Sequence, residues 1–262
     1  MPKPTRVYST EAIPLRRMDY GEADRILTLF TPAFGKVRAI AKGARRTTSR
    51  LAGHLELFTR TQLLLATGRE LDVVTQAEAR ERLDALRGGV WYATAAWYVS
   101  ELVERFVEDR DPHPRLYTRF AWALRLLDDL AAREAAGEAV RARAWLALRY
   151  FELRLLDELG YRPALHLCAG CDTPLKPEEA GFSAELGGAL CGGCSRYAQR
   201  RLSLAGLKVL RMLQTTEWEA VPPLRMQVSL ERELEGTLQS SLRHHLDRDL
   251  KSAAFLHAPG IE

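Results

Sequence analysis

The chain has 262 residues, 47% of them hydrophobic and 27% charged, which is enough to bury more than one core and argues against a disordered protein. Its longest uncharged stretch, residues 88–100, falls short of the roughly 18 residues that span a bilayer, and its N-terminus lacks an apolar leader, so we expect a soluble, cytoplasmic protein. The formal net charge is +4, yet residues 1–80 hold fourteen Lys or Arg against eight Asp or Glu, so the basic character belongs to the N-terminal third.

Alternating apolar runs separated by turn residues predict five strands in this N-terminal third. The predicted strands are Val7–Met18, Ile26–Thr31, Lys36–Lys42, Leu57–Ala66 and Leu71–Ala77. Pro32 and Gly35 mark the turn after the second strand, and Gly68 marks the turn after the fourth. A segment of this size favours a small barrel that closes its own sheet edges, and the five-stranded OB-fold has the right number of strands.

From about Arg80 onward the apolar residues recur with the period of helices. The predicted helices are Val90–Val107, Arg115–Ala136, Val140–Leu159, Ser203–Glu217 and Ser229–Leu256. The predicted fold class is therefore α+β. We expect an OB-fold domain at residues 1–80, a helical domain in two parts at 81–165 and 201–262, and a four-cysteine module inserted between those parts at 166–200.

All four cysteines lie in the segment between the third and fourth predicted helices. Cys168 and Cys171 form one CxxC pair, Cys191 and Cys194 form a second, and nineteen residues separate the pairs. Two thiolates from each of two tight turns make a tetrahedral ligand set that favours zinc, and four protein ligands leave no open position for catalysis. We therefore expect one structural Zn²⁺.

Other interpretations of the cysteine pairs stay open on the residues alone. A redox-active CxxC usually begins a helix after a strand, whereas both pairs lie in a segment rich in loops. An iron–sulfur cluster uses the same ligands at different spacings, and a disulfide is disfavoured in a reducing cytosol. His166 is close enough in sequence to replace a cysteine ligand, but we expect it at the surface.

A second candidate site is a basic segment, because residues 25–55 contain seven Lys or Arg and no acidic residue. On the third predicted strand, same-face positions repeat about every 6.6 Å, which suits an extended phosphate backbone. The predicted nucleic-acid-binding residues are Lys36, Arg38, Lys42, Arg45, Arg46 and Arg50. The alternative is a basic face that only aids solubility. Phe30, Phe34 and Phe58 lie nearby, but we expect them in the core.

Motifs for catalysis are missing from the sequence. We find no GxxxxGK[ST], GxGxxG, HExxH or GxSxG, and the six histidines form no motif with a nucleophile. No catalytic residue is therefore predicted, and the protein is not expected to be an enzyme.

Three stretches of the sequence resemble the RecO family of bacterial DNA repair proteins. The N-terminal domain of that family is similar to YGEADRILTLFTPAFGKVRAIAKGARRTTSRLAGHLELF followed by GRELDVVTQAE. Its zinc module is similar to HLCAGC…LCGGC, and the end of its last helix is similar to HHLDRDLKSAAFL. The resemblance implies an OB-fold domain, a helical domain and a zinc module, in agreement with the division made from the residues.

The resemblance also implies a function. Proteins of this family bind single- and double-stranded DNA, anneal complementary strands and, with RecR and RecF, help RecA load onto DNA coated by single-strand-binding protein (SSB). They also contact the acidic C-terminal tail of SSB, and they act at the nucleoid. Two other functions fit the residues: an RNA-binding or ribosome-associated adaptor, and a thiol oxidoreductase that uses one CxxC pair.

Overall fold

The structure is a computed structural model that describes residues 6–246 and Ser252. Its described residues form two compact units, one of residues 6–132 with Ser252 and one of residues 133–246. None of the helices in the described residues combines the length and apolar character that crossing a membrane requires.

A closed five-stranded barrel forms the base of the first unit, with strand order β1-β2-β3-β5-β4. The strands are β1 (Val7–Tyr20), β2 (Asp24–Thr31), β3 (Gly35–Ala41), β4 (Arg60–Ala66) and β5 (Asp72–Glu81). β3 and β5 pair in parallel, whereas the other neighbours are antiparallel. Leu27, Val37 and Leu65 are among the fully buried residues of the barrel interior, so alternate positions on each strand face outward. The barrel confirms the predicted OB-like N-terminal domain.

Two helices pack with the barrel, α1 (Val90–Phe106) and α2 (Pro114–Ala135), the last three residues of α2 belonging to the second unit. Phe30 is fully buried, because its ring lies 5.6 Å from the ring of Tyr117 and 6.1 Å from that of Phe120 on α2. Part of the barrel surface is thus covered by α2.

The loop between α1 and α2 is fixed to the barrel at the start of β3. Gly35 has φ +61°, and a Cβ atom at this position would lie 2.1 Å from the carbonyl oxygen of Asp111, so only glycine fits. The backbone N–H of Arg110 donates to the carbonyl of Lys36 at 2.9 Å. The Arg110 guanidinium lies 2.6 Å from the carboxylate of Asp72, which is 1% exposed and also accepts from the Tyr8 hydroxyl.

The second unit contains three helices and a small sheet. The helices are α3 (Arg141–Glu158), α4 (Leu204–Thr215) and α5 (Val228–His245). The sheet has the order β7-β6-β8, formed by β6 (Ala180–Ser183), β7 (Gly188–Leu190) and β8 (Arg200–Leu202). The helix predicted at Ser229–Leu256 is thus observed as α5, while residues 247–251 and 253–256 of that prediction lie outside the described residues.

A buried ion network joins two helices of the second unit. The Arg149 guanidinium on α3 lies 2.6 Å from the carboxylate of Glu152 and 3.2 Å from that of Glu235 on α5. Arg149 is 1% exposed and Glu152 is fully buried. Buried charges of this kind are tolerated only when they are paired, so the network constrains how α3 and α5 pack.

Candidate nucleic-acid interface and metal centre

The outer face of β3 carries the predicted basic residues. Arg38 is exposed and Lys36 and Ile40 are half-buried, whereas the alternate residues Val37 and Ala39 lie in the barrel core. The alternation of a strand therefore directs the charges of β3 outward, as predicted.

Lys36 and Arg45 are engaged within the protein. The Lys36 ammonium donates to the carbonyl of Glu104 at 2.9 Å and lies 3.4 Å from the carboxylate of Asp109. The Arg45 guanidinium lies 3.3 Å from the carboxylate of Asp19, and it donates to the carbonyl of Gly21 at 3.4 Å. These two cations therefore hold loops in place and have less charge to offer a ligand.

The other four predicted cations differ, because no ion pair involves them within the described part of the chain. They are all exposed to solvent: Arg38, Lys42, Arg46 and Arg50. The loop that carries three of them is anchored at its start, where the N–H of Gly43 donates to the carboxylate of Asp24 at 2.7 Å and the N–H of Arg45 donates to the carbonyl of Ala23 at 2.8 Å. The result is a positive track on a fixed backbone.

The basic surface extends onto β1, which sequence reasoning missed. In the strand register Arg16 lies opposite Thr28, and Thr28 lies opposite Arg38 on the other side. Met18 and Tyr20 follow Arg16 on the same face and are 46% and 53% exposed. These residues alternate along β1, which could have indicated that they share one face. The strand also contains acidic residues, however, so it lies outside the acid-free segment that marked the basic site.

The three phenylalanines near the basic segment are core residues, as predicted. Phe30 is 0% and Phe58 is 5% exposed, and Phe34 packs against the barrel core with its ring 4.5 Å from that of Tyr8. Tyr20 is therefore the aromatic ring of this face that a nucleobase can reach.

The four cysteines converge on one point in the second unit. Their sulfur atoms all lie within 4.8 Å of one another, and the sulfurs of Cys171 and Cys191 are 3.7 Å apart. A Zn–S bond of about 2.3 Å requires sulfurs about 3.8 Å apart at the corners of a tetrahedron, so this separation fits the metal and is far too long for a disulfide. The thiolate set thus fits zinc.

Tight turns bring each CxxC pair together. The N–H of Cys171 donates to the carbonyl of Cys168 at 3.3 Å, and the N–H of Cys194 donates to the carbonyl of Cys191 at 3.0 Å. Burial raises the pKa of the Cys168 thiol, but N–H groups of Cys191 and Gly170 that point at its sulfur outweigh this effect and lower the pKa to about 6. Hydrogen bonding with the Cys171 thiol instead raises the pKa of Cys194 to about 12, so binding of a metal ion by all four sulfurs releases protons from the cluster.

The second unit carries a further basic surface next to the cysteine cluster, which the sequence did not lead us to predict. Arg196, Arg200 and Arg201 are exposed, and the Arg196 guanidinium lies 4.8 Å from the ring of Tyr197, which is 52% exposed. Arg200 and Arg201 line a pocket of about 550 Å³. Three arginines within six residues beside an exposed ring provide both charge and a stacking surface.

Comparison with known proteins identifies the family. The family described as "Recombination protein O N terminal" matches residues 6–82, and "Recombination protein O C terminal" matches residues 92–254. The DNA repair protein RecO of Roseiflexus sp. (strain RS-1) is 45% identical over 253 residues, which is 96% of this chain and 85% of the relative. The DNA repair protein RecO of Desulforudis audaxviator is 40% identical over 257 residues, 97% of this chain and 98% of the relative. The chain therefore belongs to the RecO family of DNA repair proteins.

Proposed function

We propose that this protein is a recombination mediator, which binds single- and double-stranded DNA and anneals complementary strands. With RecR and RecF it assists the loading of RecA on single-stranded DNA coated by SSB. The observation that carries the proposal is the track of exposed cations on the barrel of a RecO family chain, which form no ion pair with any residue that the structure describes. The protein acts by binding rather than by turnover, in the cytoplasm and at the nucleoid.

DNA phosphates bind along the outer face of the barrel. We assign direct phosphate contacts to Arg38, Lys42, Arg46 and Arg50. Lys36 and Arg45 position the two loops beside them, because their charges are already engaged by Asp109 and Asp19. Each neutralised phosphate releases counterions, so binding weakens steeply as salt increases.

Annealing requires two strands whose mutual repulsion is screened while their bases stay free to pair. Contacts to the phosphate backbone meet this requirement, because they leave base edges open. The barrel provides one basic surface, and Arg196, Arg200 and Arg201 on the second unit provide another for a second strand. Both surfaces lie in one chain, so a strand held on each is confined at high effective concentration.

One structural zinc ion is bound by Cys168, Cys171, Cys191 and Cys194. When bound, the ion cross-links the two CxxC turns and supplies no reaction chemistry, because all four positions around it are taken by protein. Its effect on function is indirect. The turn that contains Cys194 continues directly into Arg196, so metal binding orders part of the second basic surface.

RecR and SSB are the proposed protein partners. The acidic C-terminal tail of SSB suits a protein with exposed cations, and RecR acts with this protein to deliver RecA. Membership of the RecO family supports the proposal of these partners.

Fluorescence anisotropy of a labelled single strand tests the proposal, with DNA and RNA strands of the same sequence compared over a salt series. We expect DNA binding that falls steeply with salt, together with faster annealing of complementary DNA strands when the protein is present. Absence of DNA binding at low salt would contradict the proposal. Clearly tighter binding of the RNA strand would instead favour the RNA-binding adaptor.

A further inference from the structure

A pocket of about 240 Å³ opens on the outer face of the barrel above Thr28. Thr28 stands between Arg16 and Arg38, which are its register partners on β1 and β3. Neighbouring strands are about 4.8 Å apart, so the backbones that carry the two arginines are separated by about 10 Å. Because the threonine side chain is short, the space between the arginines forms a slot with a guanidinium on each side.

The spacing of the two strands that carry these arginines leaves room for one flat ring between their side chains. A ring in contact with a guanidinium plane on both faces needs about 7 to 8 Å between those planes, given contact distances of about 3.5 to 4.0 Å. Guanidinium groups stack well on the faces of nucleobases. The pocket is also smaller than the roughly 300 Å³ of the smallest sites for drug-sized ligands, so it suits a single base.

The two ends of the slot differ in chemistry. Met18 and Ile26 line one end, in the row of the barrel that follows Arg16 and Thr28. Glu104 and Asp109 line the pocket on the side of Lys36, where the loop between α1 and α2 meets β3. One end is therefore apolar, and the other presents two carboxylates.

The carboxylates are held in place. Asp109 lies 3.4 Å from the Lys36 ammonium, and Glu104 lies 3.8 Å from the Arg16 guanidinium. Glu104 is part of α1, and the loop that carries Asp109 is anchored by the bond from the Arg110 N–H to the carbonyl of Lys36. The carboxylate oxygens can still accept further hydrogen bonds, so this end of the slot suits a base edge that donates them.

We propose that this slot holds one unstacked base of a bound DNA strand and prefers bases with an exocyclic amino group over thymine. Ionised carboxylates only accept hydrogen bonds. The amino groups of cytosine, adenine and guanine donate to them, whereas thymine presents carbonyl oxygens on either side of a single N–H. The inference rests on the proposed binding of DNA by the barrel and adds a base preference to phosphate contacts that have none.

The test compares two pyrimidine strands of equal length and charge, oligodeoxycytidylate and oligothymidylate, by fluorescence anisotropy at slightly alkaline pH. Their phosphate contacts are the same, so a difference in affinity reports on the bases. We expect the unaltered protein to bind the cytidine strand at least about five-fold more tightly, the low end of what a good pair of base contacts provides. The double substitution Glu104→Gln and Asp109→Asn should bring the two affinities together.

Glu108→Gln is the matched control, because Glu108 is exposed on the same loop and does not line the pocket. This variant should keep the full preference for cytidine. If the unaltered protein binds both strands equally, or the double variant keeps the preference, the slot assignment is wrong. Absence of binding to either strand would instead overturn the proposed function.

Discussion

The basic surface of the barrel and the one beside the four cysteines differ in what holds them in place. On the barrel, a closed hydrogen-bonded sheet over a buried apolar core fixes the backbone, and Arg38, Lys42, Arg46 and Arg50 form no ion pair within the described residues. Beside the cysteines, the strands are only three or four residues long, and sulfur atoms that need a cation occupy the centre of the segment. Charge changes on the barrel should therefore affect binding alone, whereas changes to the thiols should affect folding.

Loss of the metal should have the largest effect on folding, and the effect should be confined to the segment around the cysteines. Cys191→Ser removes one of four ligands, and structural zinc contributes on the order of 10 kcal/mol to the folding of small zinc domains. We expect loss of bound zinc, measured by elemental analysis, and loss of hydrogen-exchange protection in residues 168–194. His166→Ala is the control, because His166 is exposed and should be no ligand. Retained zinc and protection in the Cys191→Ser protein would contradict the metal assignment.

The buried ion network of the second unit should give the next largest effect. Arg149→Met removes the guanidinium that pairs with buried Glu152 and half-buried Glu235, and breaking a buried ion pair typically costs about 3 to 5 kcal/mol. Urea unfolding measures this loss in the free energy of unfolding. Exchanging Glu152 and Glu235 for leucine as well should recover much of the stability, because no uncompensated charge remains. A single variant as stable as the unaltered protein would show that the network does not hold α3 against α5.

A smaller loss of stability is expected when the ion pair between β5 and α2 in the first unit is removed. The Arg125 guanidinium donates to the Glu81 carboxylate at 2.7 and 2.8 Å, and these hydrogen bonds lower the pKa of Glu81 below its usual value. Since the pKa is lower in the folded state, the stabilisation is present at neutral pH and is lost as pH falls through the folded pKa. Glu81→Gln should lower the free energy of unfolding by at most about 1 kcal/mol at pH 7. The difference should disappear in acid, and a difference that grew there would contradict this sign.

Much of this architecture is accessible from sequence because it rests on local patterns. Alternation predicted all five strands of the barrel, and the spacing of the cysteines predicted their cluster. The fourth strand was predicted from Leu57 but begins at Arg60, because Phe58 has φ +64° and cannot continue a strand. The fifth strand runs on to Glu81, past its apolar part, because pairing with β4 continues where its side chains are exposed.

The sequence could not predict which basic side chains form ion pairs within the protein. Lys36 and Arg38 look equivalent in sequence, two residues apart on one face of a strand. Lys36 is neutralised by a loop about seventy residues further along the chain, and nothing local to β3 indicates that contact. Arg16 and Arg38 lie on one surface only because each is a register partner of Thr28, on β1 and on β3. The tertiary structure thus decides which of these cations pair within the protein and which stay available for a ligand.

If the exposed cations of the barrel contact phosphates, replacing them should change the salt dependence of single-stranded DNA binding. Arg38→Gln, Lys42→Gln and Arg46→Gln together should flatten the slope of log K against log salt by about 2, at about 0.7 per lost contact. Thermal unfolding should be unchanged, because these residues form no ion pair within the described part of the chain. An unchanged slope in a folded triple variant would contradict the account and move DNA binding away from the barrel.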